Sequence, residues 1–122
     1  MIGDLSVADV LQGETRPTVV KAVETQTTDF EETEVVTGRY VDAMVQPADP
    51  KRLETLDGVD FALEYITAHA LQPIRAGEFV EYEGREFKVI TRSPWDAYGY
   101  SEVIGESTNT APQPVDQWEG EQ

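Results

Sequence analysis

Residues 71–106 have the sequence LQPIRAGEFVEYEGREFKVITRSPWDAYGYSEVIGE, and this stretch decides the fold. It contains two short apolar runs, residues 79–82 and 87–90, which are joined through Glu83 and Gly84. Two such runs on either side of a short connection containing Gly predict a β-hairpin. The hairpin is the element from which the rest of the chain can be interpreted.

Alternation along the two runs predicts which side chains are buried, because successive side chains of a strand point to opposite faces. In the first run, Val80 and Tyr82 share one face. In the second, Phe87 and Val89 share a face opposite Ile90. The pattern is typical of strands with one face in a core.

An aromatic corner follows the hairpin. Pro94 ends the second strand, because proline has no amide to donate and disfavours helix in the residue before it. Three large rings then surround Gly99, contributed by Trp95, Tyr98 and Tyr100. Such a corner is more typical of the plugged end of a barrel or sandwich than of a cofactor site.

Three further segments have the pattern of strands: residues 18–25, 35–45 and 59–70. The last is also compatible with a helix, given its Ala, Leu and Glu content, but its period of two favours a strand. Gly38 within the second segment predicts a bulge or a sharp bend. Residues 27–34, TTDFEETE, are polar and acidic and predict a loop.

These elements predict one all-β domain of six or seven strands, a small β-barrel or sandwich with a short N-terminal helix and a flexible C-terminal tail. Residues 1–16 are the N-terminal helix or arm, residues 17–106 the β-barrel or sandwich core, and residues 107–122 the tail. The tail is poor in apolar residues. Its Val115 and Trp118 can dock on the domain or on a partner.

The charge is the strongest global feature, with 24 acidic against 9 basic residues and a formal net charge of −15. This balance opposes binding to nucleic-acid phosphates and to anionic membranes. It indicates either simple solubility, or a surface that must release DNA or that meets a basic partner. No apolar run approaches the roughly 18 residues that cross a membrane, and the first residues do not resemble a signal peptide, so a cytoplasmic site of action is expected.

No motif for catalysis is found. The sequence has no glycine-rich phosphate loop, no Gly-x-Ser-x-Gly elbow and no cysteine. The carboxylates of residues 27–34 lack the spacing of a calcium loop, which favours a solvated charge run over a cation site. His69, the single histidine, is interpreted as a polar residue at a strand end. We therefore expect no enzyme activity, no catalytic residue, no metal site and no cofactor.

Two motifs carry a resemblance to a known family. The first is PIRAGEFVEYEGREFKVI, with matching positions Pro73, Ile74, Arg75, Gly77, Glu78, Val80, Glu81, Tyr82, Gly84, Arg85, Phe87, Val89 and Ile90. The second is the corner WDAYGY, with matching positions Trp95, Asp96, Tyr98, Gly99 and Tyr100. Together with the preceding YITAHALQP, residues 65–104 resemble the small head-closure and head–tail connector proteins, also called stopper or neck proteins, of tailed bacteriophages.

The resemblance implies a small β-barrel or sandwich that acts as a structural virion protein. Such proteins form a ring of six or twelve copies between the portal or adaptor protein and the tail or tail-terminator protein, where they close the DNA-filled head. The implied location is the virion neck, assembled in the host cytoplasm, with DNA passing through unbound and no membrane contact. The structural corner and hairpin residues are then Arg75, Gly77, Tyr82, Gly84, Trp95, Tyr98, Gly99 and Tyr100.

Acidic residues give a hypothesis about the channel of such a ring. A channel that lets DNA slide should repel phosphates. The candidate channel-facing loop consists of Asp29, Phe30, Glu31, Glu32 and Glu34. A second hypothesis places subunit contacts on the hairpin edge and the N-terminal arm. The alternative function is an acidic β-barrel protein-binding module, either an adaptor or an inhibitor that mimics DNA.

Overall fold

The structure, a computed structural model, describes residues 15–48, 63–93, 100–108 and 110–119. Seven strands lie within these ranges, and no helix does. In chain order they are β1 (Arg16–Thr28), β2 (Glu31–Pro47), β3 (Tyr65–Ala70), β4 (Phe79–Tyr82), β5 (Arg85–Ser93), β6 (Ser101–Ser107) and β7 (Gln117–Trp118). The prediction of an all-β fold is confirmed for this part of the chain.

Some predicted elements lie outside the described residues. The N-terminal helix or arm, residues 1–16, is one of them except at its end, where Arg16 already begins β1. Of the aromatic corner, only Tyr100 is described. The first part of the predicted strand over residues 59–70 also falls outside, and its second part is β3.

The strands form one sheet in the order β1-β4-β5-β6-β3-β2-β7. β1 and β2 also pair with each other, so the pairings among the first six strands return to their start. These pairings are all antiparallel, whereas β7 lies parallel to β2. Each of the first six strands therefore has a neighbour on both sides for part of its length.

The predicted hairpin is confirmed as β4 and β5. Its turn has positive φ at both central residues, 52° at Glu83 and 76° at Gly84, which is the type I′ geometry that matches strand twist. The alternation also holds, since Val80 and Phe87 face each other in the core. Ile90 on the opposite face is 38% exposed and falls at a shift in the β5–β6 register.

The core consists of alternate residues from the paired strands, together with Ile74 from the β3–β4 connection. Its buried members are Val20, Val41, Ala43, Ile66, Ala68, Ala70, Ile74, Val80, Phe87, Val89 and Val103. The β6 backbone approaches this cluster closely at Gly105, where an added Cβ would lie 3.0 Å from the Phe87 Cβ. Burial of these apolar side chains is the main driving force for the fold.

Two predictions about β1 and β2 are wrong. Residues 27–34 are not a loop, because only Asp29 and Phe30 form a turn and the flanking residues belong to strands. Strand pairing satisfies the backbone here, so polar side chains can extend both strands without a core beneath them. Gly38 is not a bulge either, because the β1–β2 register runs without a shift through Lys21↔Gly38.

The described part of the predicted C-terminal tail over residues 107–122 docks on the sheet, which is one of the two alternatives stated for Val115 and Trp118. Ser107 ends β6, and residues 110–119, here called the strap, lie against β2. The strap is held by backbone hydrogen bonds and by apolar contacts at Gly38. An added Cβ at Gly38 would lie 2.9 Å from Val115 Cγ2 and 3.0 Å from Trp118 Cζ3. The absence of a side chain at Gly38 therefore provides the space that the strap occupies.

An arginine–glutamate pair joins β2 to the turn before β4. Arg39 donates to both carboxylate oxygens of Glu78, at 2.6 and 2.9 Å, and also to the Pro73 carbonyl at 2.9 Å. The Arg75 amide donates to Glu78 Oε1 at 2.7 Å. Gly77 takes the positive φ of 89° that this tight turn requires.

Glu78 links this arrangement to pH. Burial alone raises the pKa of the Glu78 carboxyl, but hydrogen bonds from Arg39 and the Arg75 amide, with the charges of both arginines, outweigh burial and hold the pKa below its usual value. A carboxyl with a lowered pKa in the folded state stabilises the fold above its unfolded pKa, and the contribution is lost as pH falls through the lower folded value.

We predict that Glu78→Gln lowers the free energy of unfolding by about 1–2 kcal/mol at pH 7, because a charge-assisted bidentate contact is lost. The deficit should shrink as pH falls below the unfolded pKa of about 4.3. Urea unfolding from pH 7 to pH 3 measures it. Glu83→Gln removes the same charge from an exposed turn and is the matched control. A deficit that does not change with pH would contradict the prediction.

Candidate functional site

The first two strands extend beyond the rest of the sheet. β1 pairs with β4 only at Val20 and Lys21, and β2 pairs with β7 only at Thr37 and Gly38. Among the described residues, strand residues in 24–35 pair only with each other. We call residues 24–35 the arm. With five residues in each of its strands, the arm is roughly 17 Å long at about 3.4 Å per residue.

The arm is acidic on both faces. It contains no Lys or Arg, and its carboxylates are Glu24, Asp29, Glu31, Glu32 and Glu34. Cross-strand register places Glu24 and Glu31 on one face and Glu32 and Glu34 on the other. All residues from 24 to 34 are exposed. Because neither face is apolar, neither packs against the sheet, and the arm stands out into solvent.

The tip of the arm has an unusual turn. Asp29 and Phe30 have φ angles of 51° and 68°, the type I′ geometry that favours Gly at the second position. The β4–β5 turn has Gly84 at that position, whereas the arm has Phe30. A bulky residue at positive φ costs about 1–3 kcal/mol. Phe30 is nevertheless 103% exposed, so no packing against the described residues offsets this cost.

The strap holds the base of the arm. Asp116 donates its amide to the Val36 carbonyl at 2.8 Å and accepts the Val36 amide on Oδ2 at 2.8 Å. The Glu119 amide donates to the Gly38 carbonyl at 2.8 Å. Beside these bonds, the Trp118 ring stacks on Tyr40 with centroids 5.1 Å apart and planes 7° from parallel. The arm therefore leaves the sheet from a point braced on the β2 side.

A buried ion pair lies beneath the strap. Lys21 is 3% exposed and Glu86 is 2% exposed. The Lys21 Nζ lies 3.1 Å from Glu86 Oε2 and 3.1 Å from Glu81 Oε2, and it donates to the Gln113 carbonyl at 2.6 Å. Gln113 in turn donates its amide to Glu86 Oε2 at 3.1 Å and its side-chain amide to Oε1 at 2.8 Å. Both buried charges are thus supplied with partners.

The strap residue Gln113 completes this network from the far end of the chain. A buried ion is costly unless its remaining lone pairs and protons are satisfied. The strap provides one carbonyl for the ammonium and two N–H groups for the carboxylate. Strap docking and the burial of the Lys21–Glu86 pair therefore depend on each other.

The sequence-based sites fall in three places. The arm brings together the five predicted channel-facing residues, Asp29, Phe30, Glu31, Glu32 and Glu34. It also contains Glu24, which the sequence analysis did not include. Arg75 and Gly77 lie in the turn before β4, where Arg39 binds Glu78. Tyr82 and Gly84 lie in the β4–β5 hairpin. Of the corner, Trp95, Tyr98 and Gly99 lie outside the described residues, and the Tyr100 ring lies 6.4 Å from the His69 ring.

His69 has a partner that the sequence did not indicate. Its Nε2 lies 2.7 Å from Glu102 Oε2 on the neighbouring strand β6. Its Nδ1 is buried and has no hydrogen-bond partner within the described part of the chain. The interpretation of His69 as a strand residue is confirmed, since it lies within β3.

Sequence reasoning also missed Lys21 and Glu86. The signal was present in VVKAV, where a lysine interrupts an apolar run. Within residues 15–48, 63–93, 100–108 and 110–119, no group of three or more His, Asp or Glu is placed to hold a metal ion. Nor does this part of the chain contain a helix long and apolar enough to span a membrane. No protein-family model matches the sequence, and a search of the curated proteins finds no similar one.

We predict that Lys21→Met lowers the free energy of unfolding by about 3–5 kcal/mol, because Glu86 is left buried without its cation. The double variant Lys21→Met with Glu86→Leu should lose less than Lys21→Met alone, since neither buried charge remains. Urea unfolding measures all three chains.

The matched control is Lys88→Met, which removes a lysine from an exposed position on β5. Its free energy of unfolding should stay within about 0.5 kcal/mol of wild type. A Lys21→Met variant as stable as the Lys88→Met control would show that the buried pair does not hold the strap.

Proposed function

We propose that the chain is a structural protein of the bacteriophage neck, a head–tail connector that forms a ring between the portal or adaptor protein and the tail. Two lines of argument support it. Residues 65–104 resemble this family in the hairpin and corner motifs, and the structure forms a β-hairpin over the first motif. The arm gives the chain an element suited to reaching a neighbouring protein of the neck.

We further propose that strands β1 to β6, each of which pairs with two of the others, close into a small β-barrel with the strap on its outside. The support is the return of the pairings to their starting strand, together with a core built from alternate residues. Closure removes the exposed strand edges through which subunits would otherwise associate without control. Contacts with other proteins would then fall to projecting elements.

The arm is the observation that carries the proposal. A ring protein of the neck must also bind the different proteins above and below it, here the portal or adaptor protein and the tail. A two-stranded arm of roughly 17 Å extends the reach of a small body across such a contact. Residues 24–34 of the arm are exposed, so they are available for contact with another protein.

The acidic balance fits a body past which DNA must move. A net charge of −15 repels phosphates and disfavours specific DNA binding. The placement of Asp29, Phe30, Glu31, Glu32 and Glu34 beside a DNA channel stays a prediction of the ring. The copy number of six or twelve and the virion location are likewise parts of this proposal.

The second candidate is an acidic protein-binding module that acts outside a virion. The exposed aromatic tip favours it, because such a tip suits any partner with a matching pocket. A DNA mimic is the weaker form of this candidate. The arm carboxylates alternate between two faces and do not form a single row like that of phosphates.

The test is quantitative mass spectrometry of purified phage particles from the source, scaled to the portal subunit. We expect six or twelve copies of the chain per particle. Absence of the chain from particles would contradict the neck function and leave the binding module as the better candidate.

A shortened arm provides the matched variant. Replacing residues 25–34 by Asn-Gly joins Glu24 to Val35, which already face each other across the strands. Asn-Gly favours the type I′ geometry of the natural turn. Glu24 and Val35 lie four positions from the Thr28 and Glu31 pair that closes that turn, so the new turn starts from a residue pair of the same kind and on the same face of the strands. We expect this variant to fold and to be lost from particles. Normal incorporation would show that the arm is not the assembling element.

A further inference from the structure

We propose that Phe30 is an anchor, which inserts into an apolar pocket rimmed by Lys and Arg on a different protein. The arm carries the aromatic ring to the contact, and its carboxylates meet the basic rim. The inference goes beyond the neck function because it names the chemistry of the partner surface and does not require that surface to belong to a virion.

The first support is exposure. Phe30 is 103% exposed at the end of a projecting hairpin. The other large apolar side chains with high exposure in the described residues are Tyr40, which stacks on Trp118, and Ile90, which is 38% exposed. Aromatic side chains that fill a pocket on a partner contribute a large share of the energy of many interfaces. Phe30 is the side chain of this surface that is best placed to do so.

The second support is that folding does not explain a phenylalanine at this position. The residue adopts φ of 68°, which a side chain disfavours and glycine accepts. The same turn type in the β4–β5 hairpin has Gly84 there. A phenylalanine that strains the turn and does not pack on the part of the chain that the structure describes is explained by a contact with another molecule.

The third support is charge, which decides the kind of occupant. Asp29 and Glu31 are the sequence neighbours of Phe30, and Glu32 and Glu34 follow on β2. Nucleic acid is opposed by repulsion between these carboxylates and its phosphates. A second copy of the chain is disfavoured at this tip in particular, because the arm carboxylates would there meet another strongly acidic chain. A surface with Lys and Arg around an apolar pocket complements both the ring and the carboxylates.

The inference changes the role expected of the arm. The sequence-based hypothesis placed residues 29–34 against DNA in a channel. The proposed anchor assigns the tip to a protein instead. Photo-cross-linking separates the two directly, because a reactive group at the tip attaches to whatever it touches.

The first experiment places p-benzoylphenylalanine at position 30 of the full chain in cells of its natural source, with position 90 as the control. We expect position 30 to cross-link to a different protein, at an apolar site with Lys or Arg beside it, and an excess of wild-type chain to suppress the product. A Phe30→Gly chain in the same excess should not suppress it. Cross-links to DNA or to a second copy of the chain, or none, would overturn the proposal.

The second experiment measures affinity for the cross-linked protein after its purification. Phe30→Gly should weaken binding at least about tenfold, whereas Ile90→Ser should leave it unchanged. The Tm of Phe30→Gly should equal or exceed that of wild type, because glycine relieves the turn. Binding should also weaken as salt rises from 50 to 500 mM, since charges meet across the contact. Unchanged affinity of Phe30→Gly, or affinity indifferent to salt, would overturn the proposal.

The anchor and the neck function fail separately. If particles lack the chain while position 30 still cross-links to a basic protein, the anchor stands and the neck function falls. If particles contain six or twelve copies while position 30 cross-links to nothing or to DNA, the neck function stands and the anchor falls.

Discussion

The buried pair of Lys21 and Glu86 is the interaction on which the rest of the structure depends. Two charges that are almost wholly removed from water are stable only when every polar atom around them is satisfied. Lys21 lies on β1, Glu86 lies on β5, and the partner that completes both is Gln113 of the strap. Three distant parts of the chain are therefore held in one arrangement, and a shift of any one of them leaves polar atoms of the buried pair without a partner.

This constraint divides the molecule into a braced body and a free-standing arm. The strap continues from the ion pair to Val36 and Gly38, where it bonds the β2 edge at the base of the arm. Beyond that point the arm has only its own cross-strand bonds within the described part of the chain. Local stability follows the density of buried contacts, so among the described residues we expect the exposed arm to open more easily than the body. A rigid base with an exposed aromatic tip is a suitable design for presenting one side chain to a partner.

The parts of the fold that could be predicted are those that local sequence specifies. The β4–β5 hairpin was predictable because its alternation and its Glu83-Gly84 turn are local. The arm was not predictable, because its strands are polar on both faces and lack the alternation of apolar and polar residues by which a strand is recognised. For the strap, the sequence left open whether Val115 and Trp118 dock on the domain or on a partner, because the few hydrogen bonds and the space above Gly38 that hold it are not visible in composition. Lys21 gave a signal within its apolar run, but its partners are distant in sequence.

The most direct test of the account is the hydrogen exchange of the Asp116 and Glu119 amides in the free chain. Both amides donate to β2 carbonyls, at 2.8 Å each. If the strap belongs to the braced body, they should exchange at least about 100-fold more slowly than amides of an unstructured chain. Exchange of both amides at the unstructured rate would show that the strap is a frayed end, and would contradict the claim that it completes the buried ion pair.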